Sequence, residues 1–240
     1  MDRKIIFVLV ATALLLFAVS AFSSAEKKDD KVLEKVTFIH YKKNAKPVGV
    51  GKPPKGTTCY AFLASGAKWK VNEPFLVNPI NDENLSDSFV FSAVNSGINE
   101  WEAYGGNIFG AGSLDYGIAY LPNYADGLNT ASFGYYPNNG VIAITTVWGY
   151  FSGKTRTREI VEWDMLFNDS FNWGDSTVNG ASVMDLQNIA THELGHAAGM
   201  NDLYDTSCID ETMYGYADYG ETNKRALNSG DIAGITSLYG

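Results

Sequence analysis

Residues 191–205 read THELGHAAGMNDLYD, and within them His192 and His196 stand four apart. On a helix that spacing puts both imidazoles on one face, where each can aim a nitrogen at the same ion. Glu193 sits beside the first histidine and projects from a neighbouring direction, so it can take a proton from metal-bound water instead of binding the metal. A catalytic zinc takes three protein ligands and keeps an open position, so a third ligand must come from farther along. Gly199 can adopt the left-handed conformation that ends a helix and turns the chain back. Asp202 lies three residues beyond it and carries a carboxylate competent to bind zinc. The one remaining histidine, His40, lies in a basic N-terminal stretch and is a poor ligand candidate, which leaves Asp202 as the third ligand. Five such residues at fixed spacing are expected by accident fewer than about 10^-4 times in a chain of this length. The serious alternative is therefore a folded relative whose metal is structural or lost.

Such a site needs a helix seated on a sheet. Val183, Leu186, Ile189, Ala190, Leu194 and Ala197 form an apolar stripe that predicts a helix from about Val183 to Gly199. Val90, Ala93, Val94, Ile98 and Trp101 predict a second helix, ended by Gly105 and Gly106. The stretch KWKVNEPFLVNP (68–79) reads as a first strand; VIAITTVWGYF (141–151) and REIVEWDMLFN (158–168) read as two more, joined through SGKTRT as a hairpin. A final helix is expected in SGDIAGITSLYG, with Ser229 as its cap and Ile232, Ile235 and Tyr239 facing inward. Strands in the first two thirds, framed by helices without strict alternation, define an α+β class.

Composition allows one sizeable core: 45% of the 240 residues are hydrophobic and 13% aromatic. Residues 1–25 differ from the rest. Arg3 and Lys4 precede an almost wholly apolar run, Ile5 to Phe22, and Ser23 and Ala25 occupy the small-residue positions of a cleavage site before Glu26. That is the layout of a secretory signal peptide, with an uncleaved N-terminal anchor facing outside as the alternative. Residues 26–58 hold nine lysines against four acids and mix them with Pro and Gly, which reads as a basic linker or short propeptide. Residues 59–240 hold seven Lys or Arg against 22 acids, and a body so acidic argues against nucleic acid as a partner. In an exported chain an even pair of cysteines favours a Cys59–Cys208 disulfide over a metal site. Oligomeric state is not legible.

HELGHAAGMND, the later ETMYGY and the ending LNSGDIAGITSLYG resemble the metzincin metallopeptidases, and within them the matrixins. The resemblance is sharp over residues 183–240 and extends in element order to about residue 68. It implies a twisted, mostly parallel sheet with an antiparallel edge strand, an active-site helix and a C-terminal helix. It makes Met213 the methionine of the turn beneath the metal, packing under the ligands without binding. Asp202 stands where most metzincins have a third histidine, as in the snapalysin-like branch. The implied activity is zinc-dependent hydrolysis of extended protein or peptide substrates, with one catalytic Zn2+ and Glu193 as general base. A catalytically inactive, zinc-stabilised binding protein is the alternative. Substrate would lie along VIAITTVWGYF, including Ile142 and Ala143, and Tyr214 and Tyr216 would wall the pocket or serve as ordinary core aromatics. Matrixins also hold Ca2+ on oxygen ligands, and Asp126, Asn129, Asp169 and Asp175 lie in candidate loops, though their spacing fits no calcium loop and turn chemistry accounts for them. Cys59 lacks the sequence context of the family's latency cysteine.

Overall fold

The computed structural model describes residues 31–45 and 58–240; residues 1–30, the signal-like 1–25 among them, and residues 46–57 lie outside it. In chain order the elements are β1 Glu34–Lys42, β2 Phe75–Val77, α1 Asp87–Gly105, β3 Gly112–Leu114, β4 Asn129–Gly134, β5 Val141–Tyr150, β6 Glu159–Asn168, β7 Trp173–Gly174, α2 Ser176–Asn179, β8 Met184–Asp185, α3 Leu186–Ala197, β9 Tyr216–Ala217 and α4 Ser229–Tyr239. Seven strands form one sheet in the order β3-β2-β4-β6-β5-β1-β9. The half built of β3, β2, β4 and β6 is parallel, and β5 runs antiparallel to β6 as the expected hairpin. The sheet is mixed and mostly parallel, consistent with a metzincin-like catalytic domain, but antiparallel β5 is flanked by β6 and β1 and is not the expected edge strand. Among the described residues no helix is long and apolar enough to cross a membrane.

Alternation assigns the faces. Met165 and Phe167 of β6 join the main core, while Leu166 between them packs with Val141, Ile144 and Tyr41 on the other side. Ser86 caps α1 by accepting from the Phe89 N–H, and the stripe Val90, Ala93, Val94, Ile98 and Trp101 is buried as its spacing predicts. Helix α1 packs on α3 at Gly97, where a Cβ would stand 3.0 Å from the Thr191 Cα. Trp101 locks the pair by donating from Nε1 to the Thr191 carbonyl at 2.7 Å.

Four expectations need correction. Residues 68–79 supply only the three-residue β2 and an isolated bridge of Lys68 with Glu159, because Pro74 has no N–H to give a ladder and the Trp69 backbone N–H is taken by the Tyr239 hydroxyl. Helix α3 begins at Leu186 and not near Val183, since Asp185 caps it by accepting from the Asn188 N–H; likewise the cap of α4 is Asn228, in a reciprocal capping box with Asp231, and not Ser229. The largest difference lies in residues 26–58. Glu34–Lys42 are not linker but a nine-residue strand, paired antiparallel with β5 from Glu34 opposite Gly149 to Tyr41 opposite Val141. The described compact unit accordingly begins at Lys31, not at residue 59. Alternating Val36, Phe38 and His40 face the main core side and Ile39 and Tyr41 the other, a period-two pattern that outweighs the flanking lysines.

Candidate metal centre

Asp185 starts α3 and also accepts from the Arg225 guanidinium, which ties the helix to the segment before α4. Four residues apart, His192 and His196 present their rings edge to face with centroids 4.9 Å apart. Gly199 follows at φ 100°, and a Cβ there would meet the Ala67 carbonyl oxygen at 2.5 Å, so glycine is required for both conformation and space. The turned chain brings Asp202 back: its Oδ1 lies 3.3 Å from His192 Nε2 and 3.4 Å from His196 Nε2.

The other nitrogen of each ring is already committed. His192 Nδ1 is 2.7 Å from the Thr212 carbonyl and His196 Nδ1 is 3.1 Å from the Met200 carbonyl. A carbonyl only accepts, so each Nδ1 carries a proton, and Nε2 of each ring faces Asp202, where in the neutral ring its lone pair is available to an ion. Those two Nε2 atoms and Asp202 Oδ1 are buried without a hydrogen-bond partner. Three orphaned acceptors converging in a dry site fit a cation. Tyr204 fixes the far side of the carboxylate, its hydroxyl donating to Asp202 Oδ2 at 3.1 Å.

Burial is the largest influence on all these groups. It holds His192 neutral, with a pKa of about 3. On His196 the Asp202 carboxylate outweighs burial and the pKa rises. On Asp202 the two histidines outweigh burial and hold the carboxyl far below its usual range. Glu193 is fully buried, and desolvation raises it to about 7. Thr145 of β5 donates to Glu193 Oε2 at 2.6 Å.

Met213 lies beneath α3: a Cβ on Gly195 would stand 2.2 Å from the Met213 Sδ. Its turn is anchored by Asp231, whose two oxygens accept the Thr212 N–H at 2.6 Å and the Met213 N–H at 3.1 Å. Leu203 N–H donates to the Met213 carbonyl and Gly215 N–H to the Leu203 carbonyl, so the Asp202 loop and the methionine turn are stitched together. The Cys59–Cys208 disulfide is formed and joins the start of residues 58–240 to this loop. Ile142 and Ala143 are buried in β5, with Ala143 opposite His40; Tyr214 is buried, and Tyr216 pairs with Tyr41 as β9 runs parallel to β1.

The four candidate calcium residues are not brought together. Asp126 accepts from the Leu128 N–H, Asn129 bridges the Pro74 carbonyl and the Trp163 N–H, and Asp175 caps α2 and pairs with Arg225. Among the described residues the groups of side chains able to hold a metal are His192, His196 and Asp202, and His40, His192 and Glu193. The second group corrects the reading of His40. It is 1% exposed, its ring lies 3.8 Å from that of His192, and Nδ1 is 3.1 Å from Glu193 Oε1. Phe38 stacks on His196 with centroids 3.8 Å apart and planes 4° from parallel. Spacing rules also miss Thr145, Tyr204 and the buried Lys224, whose ammonium donates to the Tyr214 carbonyl. Asp231 carried a signal, as the N3 acid of a capping box.

A helix bearing two histidines, a glycine-turned carboxylate and a methionine beneath them, packed on a mostly parallel sheet, form a group that could hold a metal ion. Residues 138–240 match the matrixin family model, which supports a matrixin-like metzincin and a zinc-metallopeptidase-like domain over that span. No curated protein matches the sequence.

Proposed function

We propose that the chain is an exported zinc endopeptidase in which His192, His196 and Asp202 hold one zinc ion and Glu193 carries the proton. The observation behind this reading is the convergence of three buried, unpartnered acceptors beside a buried glutamate. A bound zinc supplies Lewis acidity and a water acidic enough to be deprotonated near neutral pH. The carboxylate of Asp202 makes that ion a milder Lewis acid than three neutral imidazoles would. Glu193, raised to about 7 by burial, is suited to accept a proton from water and return it to the leaving amine. Thr145 orients it through Oε2. Hydrolysis then adds the water hydroxyl to the scissile carbonyl carbon, while the amine departs with the proton Glu193 received. Backbone groups of β5, which pair with β1 in this structure, would offer an extended peptide a ladder in place of β1, with Tyr214 and Tyr216 lining the cleft. Export follows from the signal-like residues 1–25, with which the disulfide agrees.

The test is metal content of the full chain beside its Asp202→Ala and Glu193→Ala variants, with hydrolysis of an unfolded protein measured on each. Because β1 overlies the site, hydrolysis is also measured with Phe38→Ala and His40→Ala introduced together. One zinc per chain, lost in Asp202→Ala, and chelator-sensitive cleavage that disappears in Glu193→Ala while zinc stays bound are the expected results. Undiminished cleavage in Glu193→Ala overturns the reading.

A further inference from the structure

The cations of the acidic body are gathered in one place. Residues 59–240 hold seven Lys or Arg against 22 acids. Of the seven, Lys224 is buried and Arg225 is paired with Asp175 and Asp185. The others surround one surface cavity of about 560 Å³: Lys68, Lys70, Arg156 and Arg158 line it, together with Ser65 and Thr155, and Lys154 adjoins Thr155 in the chain. Its two walls are the connection 63–67 and the loop 151–158 between β5 and β6. Arg158 braces them, since Nη1 donates to the Ala64 carbonyl and Nη2 to the Gly153 carbonyl at 3.0 Å. At Gly66, φ 108°, the walls stand so near that a Cβ would lie 3.1 Å from the Thr155 Cγ2. Ala64 and Ser65 stand at φ 45° and 57°, a left-handed conformation that residues with a Cβ seldom adopt and that concentrates where ligands are held.

We propose that this cavity binds a compact oxyanion, a phosphate or sulfate group, either free or at the end of a larger molecule. None of its residues belongs to the metal centre. Charge is one reason. Among the described residues the acid that reaches these cations is Glu159, whose Oε2 accepts from Lys70 at 3.4 Å and from Lys31 at 3.2 Å, and Lys68, Lys154, Arg156 and Arg158 have no carboxylate partner. Like charges gathered in a concave wall repel one another and focus their field on the space between them, which an anion relieves. The free donors are a second reason. An ammonium carries three N–H bonds and a guanidinium five. Lys68 spends one of its three on the Leu238 carbonyl at 2.6 Å, and Arg156 spends none on a described residue. With the Ser65 and Thr155 hydroxyls they can meet a tetrahedral anion from several sides, and an arginine fork matches two of its oxygens. Shape is the third. A membrane or an extended polyanion would have to lie along a body of net charge 7 − 22 = −15, whereas a group that fits inside the cavity meets its cations first.

The experiment titrates the full chain, wild type and Lys70→Ala/Arg156→Ala, with inorganic phosphate and with sulfate at constant ionic strength, and reads the backbone amide shifts by NMR. Both substituted residues are exposed, so the variant should fold as the wild type does. Wild-type shifts should saturate with a Kd on the order of 1 mM, within reach of so small a ligand, and centre on residues 64–68 and 153–158. The variant should bind about tenfold more weakly or worse. Lys35→Ala/Lys42→Ala, which removes two lysines of β1 that do not line the cavity, should bind as the wild type does. Phenyl phosphate sets a ring beside Phe62 and Leu238, the apolar part of the lining. Tighter binding than phosphate assigns the site to an anion carried by a larger molecule, and equal or weaker binding assigns it to the free ion. Shifts that fail to saturate, that centre on the basic residues 46–57, or that are alike in wild type and Lys70→Ala/Arg156→Ala overturn the proposal. So does binding to phosphatidylglycerol vesicles without binding of either inorganic anion, which would make the patch a membrane contact.

Discussion

Gly195→Ala puts the methionine floor to a test of magnitude. Gly195 lies on α3 between His192 and His196, and a Cβ there would meet the Met213 Sδ at 2.2 Å, the Trp101 Cζ2 at 2.6 Å and the Met213 Cε at 3.1 Å. In an exposed helix the change would stabilise by about 1 kcal/mol, since glycine is the poorer helix former. Here the collision opposes it. Both neighbours are held: Met213 by its N–H on Asp231 Oδ1 at 3.1 Å, Trp101 by its ring N–H on the Thr191 carbonyl at 2.7 Å. Overpacking of a filled core costs about 1–3 kcal/mol, and a gap below van der Waals contact against two rings of constraint lies at the upper end, leaving a net loss of about 1–2 kcal/mol. For a domain of this size that lowers Tm by about 2–8 °C. Met213→Ala alone should cost about 2–5 kcal/mol through the cavity it leaves. Combined with Gly195→Ala it should cost less than the two added, because the new methyl occupies space the thioether vacates. Urea unfolding of the four proteins gives the coupling directly, and at least about 1 kcal/mol is expected. A stabilised Gly195→Ala, or effects that add to within about 0.5 kcal/mol, would refute the claim that Met213 sets the depth at which α3 carries its histidines.

Three other outcomes follow from the same contacts. Burial raises Asp164 to about 7, so the folded protein binds a proton there that the unfolded chain, with a pKa near 3.8, has released. Stability contributed by this group is present at low pH and declines as pH rises from about 4 to 7, by at most about 1.4 kcal/mol per unit. Asp164→Asn should accordingly gain on the wild type between pH 5 and pH 8 in thermal unfolding, and a difference independent of pH would count against it. Opening the Cys59–Cys208 bridge by a pair of serines releases a loop with a sequence separation of 149, and the unfolding free energy should fall by about 4–5 kcal/mol in denaturant titrations, with loss of under about 1 kcal/mol as the contrary result. Tyr204→Phe removes the hydroxyl that fixes Asp202 Oδ2 at 3.1 Å, so zinc affinity should drop about tenfold in chelator competition while the fold is kept; unchanged affinity would show that the carboxylate is oriented without it.

Helical periodicity exposed α1 and α3 because each buries one stripe on its neighbour, and glycine at 199 exposed the return of the chain because no other residue fits there. The juxtaposition of His192, His196 and Asp202 was legible for the same reason: it is fixed by local geometry within eleven residues. What was hidden depends on distant pairing. Thr145 reaches Glu193 across 48 positions and His40 reaches it across 153, and no local spacing marks either. His40 shows how one signal masks another. VTFIHY alternates as a strand should, yet the lysines around it make the whole stretch look like a solvated linker. Charge describes what the ends of that stretch touch, whereas the pleat decides where its centre goes.

The carboxylate at 202 also accounts for a lysine that no pattern explains. Lys224 is 1% exposed, burial pulls it down to about 7, and of the groups that push it back Asp202 is the strongest, ahead of Glu221, Glu193 and Asp231. A buried ammonium is costly unless opposite charge surrounds it. Three imidazole ligands would bring no charge to a dication, and a lysine beside them would add a third positive charge to a dry pocket. With Asp202 as a ligand and Glu193 ionised, two negative charges offset the ion, and one ammonium nearby becomes tolerable. That ammonium in turn holds the Tyr214 carbonyl, the residue after the methionine whose N–H rests on Asp231. If Asp202 holds the ion in place of a third histidine, the exchange is thus not a change at one position: the carboxylate would also supply the charge that Lys224 needs, and Lys224 in turn holds the turn after Met213.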